Sequence, residues 1–128
     1  MIVSSVQDGL TRTVDERAGE AVWRCLGRRG MLYSECESFD YVRLAPGSVL
    51  DERGRDDIEE VWFVVHGTGE FVDDEKGPLP VREGELVFCS HAAGGQWRSA
   101  ADSPLELLLL AMMPASVSRG LPLRTPAE

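Results

Sequence analysis

A chain of 128 residues with 43% hydrophobic and 27% charged side chains holds enough apolar surface for one folded core and too little length for two independent ones. Its 22 acidic residues against 13 basic ones give a formal charge of −9, which argues against nucleic acid and anionic membrane surfaces as partners. Cys25, Cys36 and Cys89 are an odd number without paired spacing, and no basic stretch followed by an apolar run opens the chain, so a reduced cytoplasm is the expected compartment.

In chain order, residues 1–20 are polar with weak alternation and are expected to form an arm or an edge strand. From Ala21 onward, short β-prone runs at 21–26, 31–44, 61–65, 69–72, 79–82, 85–89, 95–99 and 105–113 are separated by Gly, Pro or Asp, a spacing that predicts an all-β sandwich or barrel. Ala45-Pro46-Gly47 predicts a turn, because proline fixes φ and glycine accepts a positive one. His66-Gly67-Thr68-Gly69, between two apolar runs, predicts a hairpin loop, and residues 73–78 predict an exposed hairpin tip. The longest apolar run, 107–113, falls far short of the roughly 20 residues of a membrane-spanning helix and predicts a buried strand. Three prolines and no periodic face predict that 114–128 is a tail, lying on the surface or disordered. The expected organisation is therefore an arm over 1–20, a β-barrel over 21–113 and a tail over 114–128. Only Lys76 among the basic residues is a lysine, an arginine bias typical of coding in GC-rich bacteria.

Two linked patterns between Leu44 and Leu110 resemble the motifs of the cupin superfamily. The first is usually written G-x5-H-x-H-x3-4-E-x6-G; Gly47, Glu60 and Gly67 align with its opening glycine, its glutamate and its closing glycine without a gap. The second, G-x5-P-x-G-x2-H-x3-N, begins at Gly84, after which Ser90, Gly95 and Ser99 stand at its proline, histidine and asparagine. The resemblance implies an all-β, single-domain jelly-roll barrel. In metal-bearing members, two first-motif histidines, the glutamate and the second-motif histidine converge on one cation. Here those positions read Arg53, Arg55, Glu60 and Gly95. Arginine offers only donors and cannot replace neutral imidazole as a ligand. No metal or other cofactor is therefore expected.

If that register holds, Arg53 and Arg55 point inward beside Glu60 and form an anion receptor, with the buried carboxylate paired to one guanidinium. The alternative is a solvated loop over 51–57 whose charges pair near water. Trp62 and Trp97 are expected to wall the interior as ligand-contacting residues; Trp23, Met31, Tyr33 and Phe88 are further wall candidates, with core packing the simpler role. No cysteine has a motif that would depress its pKa, and there is no Gly-x-Ser-x-Gly elbow. Proton transfer by Glu60, Tyr33 or His91 on a ligand oriented by arginine remains.

Three functions are consistent with this pattern. The first is a metal-independent isomerase, cyclase or dehydratase of bacterial secondary metabolism acting on a small anionic or aromatic metabolite. The second is a non-catalytic binder of the same ligand. The third is a metal-dependent, dioxygenase-like cupin with a rearranged ligand set drawn from Glu60, His91 and a cysteine; His66, Cys36 and Cys89 carry suitable donors. A homodimer is expected, through sheet edges that expose unpaired backbone groups.

Overall fold

The computed structural model describes residues 3, 5–7, 9–28, 31, 36–53, 58–89, 94–113, 116 and 119–120. The strands are β1 (Thr11–Asp15), β2 (Gly19–Arg28), β3 (Cys36–Leu44), β4 (Val49–Arg53), β5 (Glu60–His66), β6 (Thr68–Asp73), β7 (Gly77–Arg82), β8 (Leu86–Cys89), β9 (Gly94–Ser99) and β10 (Leu105–Met112). They pair antiparallel into a six-stranded sheet, β1-β2-β3-β10-β5-β8, and a four-stranded sheet, β4-β9-β6-β7. After β3 the chain repeatedly crosses between the two sheets, which is the jelly-roll architecture.

Period-2 alternation explains why the sheets face each other. Val42 and Leu44 on β3, Leu105, Leu107 and Leu109 on β10, and Trp62 and Val64 on β5 meet Phe71, Val81 and Trp97 of the smaller sheet in one buried cluster. Four aromatic rings cross this core. Trp23 meets Trp62 edge-on at 6.1 Å, Trp62 lies 5.4 Å from Trp97, and Trp97 lies 5.0 Å from Phe71. Because Trp23 and Trp62 belong to one sheet and Trp97 and Phe71 to the other, the ring series ties the layers together.

Hydrogen bonds close one end of the sandwich. Ser48 N donates to Ser99 Oγ at 2.8 Å, Ser99 Oγ donates to Ala45 O at 2.6 Å, and Glu20 N donates to Ser48 Oγ at 3.0 Å. Ser48 and Ser99 are buried, so these bonds satisfy backbone groups that cannot reach water.

Several local expectations need correction. His66-Gly67-Thr68-Gly69 is not a hairpin: β5 pairs with β10 and β8, whereas β6 pairs with β7 and β9. Gly67 is the corner at which the chain changes sheets. Its φ is +92°, and a Cβ there would stand 2.0 Å from the Pro104 carbonyl oxygen, so glycine serves for close approach rather than for a tight reversal. The hairpin expected at 73–78 does form, between β6 and β7. Residues 51–53 belong to β4 and are not the start of a loop. Phe88 does not wall the interior. It lies on the outer face of an edge strand and is 74% exposed. Most of the expected tail, 114–128, lies outside the described residues.

Candidate functional site

Opposite the serine-closed end, where β5 begins and β10 finishes, the sandwich interior turns polar. The register of the six-stranded sheet aligns Cys25, Asp40, Leu109, Trp62 and Val87 across five strands. One row further along, it aligns Ser38, Ala111, Glu60 and Cys89. Asp40 and Glu60 are both buried, at 7% and 3% exposure. Two carboxylates thus stand in adjacent inward rows.

Each carboxylate accepts an indole N–H from its own sheet. Trp23 Nε1 donates to Asp40 Oδ2 at 2.9 Å, and Trp62 Nε1 donates to Glu60 Oε2 at 3.2 Å. The second pair follows from strand geometry, since Glu60 and Trp62 are two residues apart on β5 and share a face. These donors hold acidic oxygens that would otherwise be costly to bury. Two buried polar atoms have no hydrogen-bond partner among the described residues: Asp40 Oδ1 and Trp97 Nε1. The interior therefore keeps an unused acceptor and an unused donor.

Two nearby thiols, Cys25 and Cys36, stay protonated. Burial, then Asp40, pushes the Cys25 thiol pKa up, and burial followed by Asp40 and Glu37 does the same for Cys36. Neither is poised as a nucleophile.

Asp40 escaped the sequence reading although its signal was present. In FDYVRL the alternation of Asp40, Val42 and Leu44 puts the acid in phase with two core residues. Of the residues singled out from sequence, the structure places Glu60, Trp62 and Trp97 inside, and Trp62 and Trp97 are fully buried. Trp23 is half-buried against them. Tyr33, Arg55 and His91 lie outside the described residues. The backbone of Arg53 ends β4 opposite Gly94, while Glu52 pairs with Gly95, two positions along from the Leu50–Trp97 pair. The Arg53 side chain is outside what is described.

The metal set implied by the motif does not fit the residues present. At the second-motif histidine position, a Cβ on Gly95 would stand 2.5 Å from Phe71 Cζ and 2.7 Å from Val72 O. A coordinating side chain has no room there unless the backbone moves. Two further positions are the arginines Arg53 and Arg55, which have no lone pair to offer. Glu60 alone remains. Among the described residues, no group of three or more His, Cys, Asp or Glu could hold a metal ion. His66, proposed above as a donor, is at the far end of β5, roughly 20 Å from Glu60 along the strand. Its Nδ1 instead meets Glu83 Oε1 at 2.6 Å on the surface.

Comparison with solved structures agrees with this architecture. The fold is similar to that of a predicted oxalate decarboxylase from Thermotoga maritima, with TM-score 0.77 and 22% identity over 88% of this chain and 99% of that one. It is also similar to a cupin-superfamily sugar phosphate isomerase from Silicibacter pomeroyi, with TM-score 0.64 and 24% identity over 83% of this chain and 73% of that one. The polyketide cyclase RemF from Streptomyces resistomycificus gives TM-score 0.68 and 15% identity over 88% and 80% of the respective chains. No family model and no curated protein matches the sequence. The fold is that of a cupin domain, a jelly-roll β-barrel. Among the described residues, no helix is long and apolar enough to cross a membrane.

Proposed function

We propose that this chain is a small-molecule cupin enzyme that moves a proton with Glu60 and works without the four-ligand metal that the motif resemblance implies. Isomerisation, cyclisation or dehydration of an aromatic or anionic metabolite is the reaction class. The observation that carries the reading is Glu60 itself, a carboxylate 3% exposed on the interior face and held by the Trp62 indole. Such a group can take a proton from a carbon or hydroxyl of a bound ligand and return it elsewhere, since bulk water does not compete. The unpaired Asp40 Oδ1 and Trp97 Nε1 supply an acceptor and a donor that would orient a ligand bearing both hydroxyl and carbonyl groups. Arg53 and Arg55 at the first-motif positions are the proposed anchors for an acidic group. The cyclase and isomerase among the similar folds are consistent with this chemistry.

The test begins with native mass spectrometry of the protein as purified, to identify a bound small molecule, and with metal analysis on protein prepared without chelators. Turnover of that molecule is then compared in wild type and Glu60→Gln. The expected outcome is substoichiometric metal and a loss of at least about 100-fold in turnover, within the usual range for removal of a general acid or base. Full turnover in Glu60→Gln overturns the acid–base role. Near-stoichiometric iron, nickel, manganese or zinc overturns the metal-free reading. Binding without turnover in the wild type assigns the chain to the non-catalytic binders instead.

A further inference from the structure

We propose that Asp40 selects the ligand: its Oδ1 accepts a hydrogen bond from a hydroxyl on an aromatic ring, while Trp97 Nε1 donates to a carbonyl oxygen at the other end of the same molecule. The ligand class is then a hydroxyaryl carbonyl compound, uncharged where it reaches Asp40. The inference rests on reading the barrel interior as a ligand site, and it is independent of any proton transfer by Glu60.

Asp40 is 7% exposed and Trp97 is fully buried, yet Asp40 Oδ1 and Trp97 Nε1 have no hydrogen-bond partner among the described residues. Unmatched polar atoms in such places are rare, because each forfeits its bonds to water on burial. Cys25 stands opposite Asp40 on β2, but its Sγ donates to Gly27 O at 3.2 Å. Trp23 Nε1 takes only Oδ2, at 2.9 Å, and a carboxylate has about four lone-pair sites. A serine or an asparagine would satisfy one indole at a lower cost of burial. The second carboxylate oxygen is therefore the feature that packing does not explain.

The two atoms belong to facing sheets at one level of the barrel. Asp40 shares its inward row with Leu109 and Trp62, and the Trp62 ring lies 5.4 Å from that of Trp97 on the other sheet. Packed sheets stand about 10 Å apart. A molecule that joins them there must carry a donor at one end, an acceptor at the other and an apolar body between. The aromatic series from Trp23 to Phe71 favours a flat ring as that body. Every buried charged side chain among the described residues is an acid, Asp40 or Glu60. A carboxylate in place of the hydroxyl would therefore meet like charge in a medium of low dielectric. Selection for a neutral donor follows from the unmatched oxygen and from the charge around it.

Ligand-observed NMR titration of the full chain with three probes tests this. Para-hydroxyacetophenone has the donor and the acceptor, para-methoxyacetophenone lacks the donor, and para-acetylbenzoate puts an anion in its place. The hydroxyl compound is expected to bind at least about tenfold more tightly than either of the others, the effect of one hydrogen bond to a charged group. This ranking is read in the wild-type chain and needs no variant. Asp40→Asn keeps an oxygen for the Trp23 indole and turns its amide N–H toward the ligand. It should erase or reverse the preference over the methoxy compound, with circular dichroism showing that the variant is folded. Absence of binding of para-hydroxyacetophenone to the wild-type chain overturns the proposal and leaves Asp40 Oδ1 to a buried water. Equal binding of the hydroxyl and methoxy probes overturns it too, as does a preference that persists in Asp40→Asn. Turnover in Glu60→Gln judges the acid–base role and probe binding judges Asp40, so either can fail while the other stands.

Discussion

Removing the indole N–H from Glu60 should destabilise the protein by an amount that depends on whether residue 60 is charged. Trp62→Phe deletes the donor that meets Glu60 Oε2 at 3.2 Å, at a side chain with no exposed surface. A lost hydrogen bond to a charged group is worth about 1.5–3 kcal/mol. The smaller ring also leaves roughly 40 Å³ unfilled, which at ~24 cal/mol per Å³ adds about 1 kcal/mol. The expected total is about 2.5–4 kcal/mol, a substantial share of the roughly 6–19 kcal/mol stability of a domain this size. Glu60→Gln keeps an acceptor oxygen but removes the charge, so in the Trp62→Phe background it should recover part of the loss. The double-mutant cycle is expected to give a coupling of at least about 1 kcal/mol. Urea unfolding followed by far-ultraviolet circular dichroism is the suitable assay, because the tryptophan signal itself is altered. Additivity within ~0.5 kcal/mol would show that the indole does not hold the carboxylate, and the proposed site would lose its organising contact.

Gly95→Ala should cost roughly 1–3 kcal/mol by overpacking, since its Cβ would meet Phe71 Cζ and the Val72 carbonyl at 2.5 and 2.7 Å; unchanged urea stability would mean that the position can accept a side chain. Burial, followed by the hydrogen bond to Glu106, pushes the Tyr41 phenol pKa up to about 12. The neutral phenol is thus favoured in the folded state, and its stabilising effect is complete below the ordinary tyrosine pKa near ~10 and lost as pH rises through the shifted value. Absorbance at the tyrosinate band should show one phenol titrating near about 12, and loss of that step in Tyr41→Phe; a wild-type protein with every phenol ionised near the ordinary value refutes it. The backbone N–H groups of Lys76 and Glu75 in the β6–β7 turn lower the Asp73 carboxyl pKa. That contribution is present above the ordinary carboxylate pKa and disappears as pH falls through the lowered one, so the stability gap between wild type and Asp73→Asn should narrow in acid. A gap independent of pH would contradict this.

How much was legible depended on whether the signal was local. The motif spacing from Gly47 to Gly67 and the two-residue phase of Glu60, Trp62 and Val64 sufficed to place a carboxylate and a tryptophan inside a jelly roll. The Gly-rich stretch at 66–69 misled because a corner and a hairpin loop use the same residues for the same backbone freedom; only the pairing of the flanking strands distinguishes them, and that pairing is set by distant β10 and β9. Phe88 was misassigned for a different reason. In LVFC every residue is apolar, so alternation carries no phase and the inward side cannot be chosen from sequence. Asp40 did carry its phase, but it stands outside both motifs and so drew no attention.

The polar end of the interior shows a consistent substitution of one kind of partner for another. The motif positions that would gather a cation around Glu60 are occupied by arginines and by a glycine with no space for a side chain, yet the carboxylate remains buried. A buried acid needs hydrogen-bond donors, and the indole of Trp62 provides one. Asp40 and Trp23 repeat the arrangement on the neighbouring strands. Two neutral N–H groups therefore hold two acids in adjacent rows without using up their acceptor capacity, since each carboxylate has about four lone-pair sites. A ligand suited to the proposed site would bring its own hydrogen-bond donors. A hydroxylated ring meets that demand and also matches the aromatic series from Trp23 to Phe71. A simple anion with no donor would leave Asp40 Oδ1 unsatisfied.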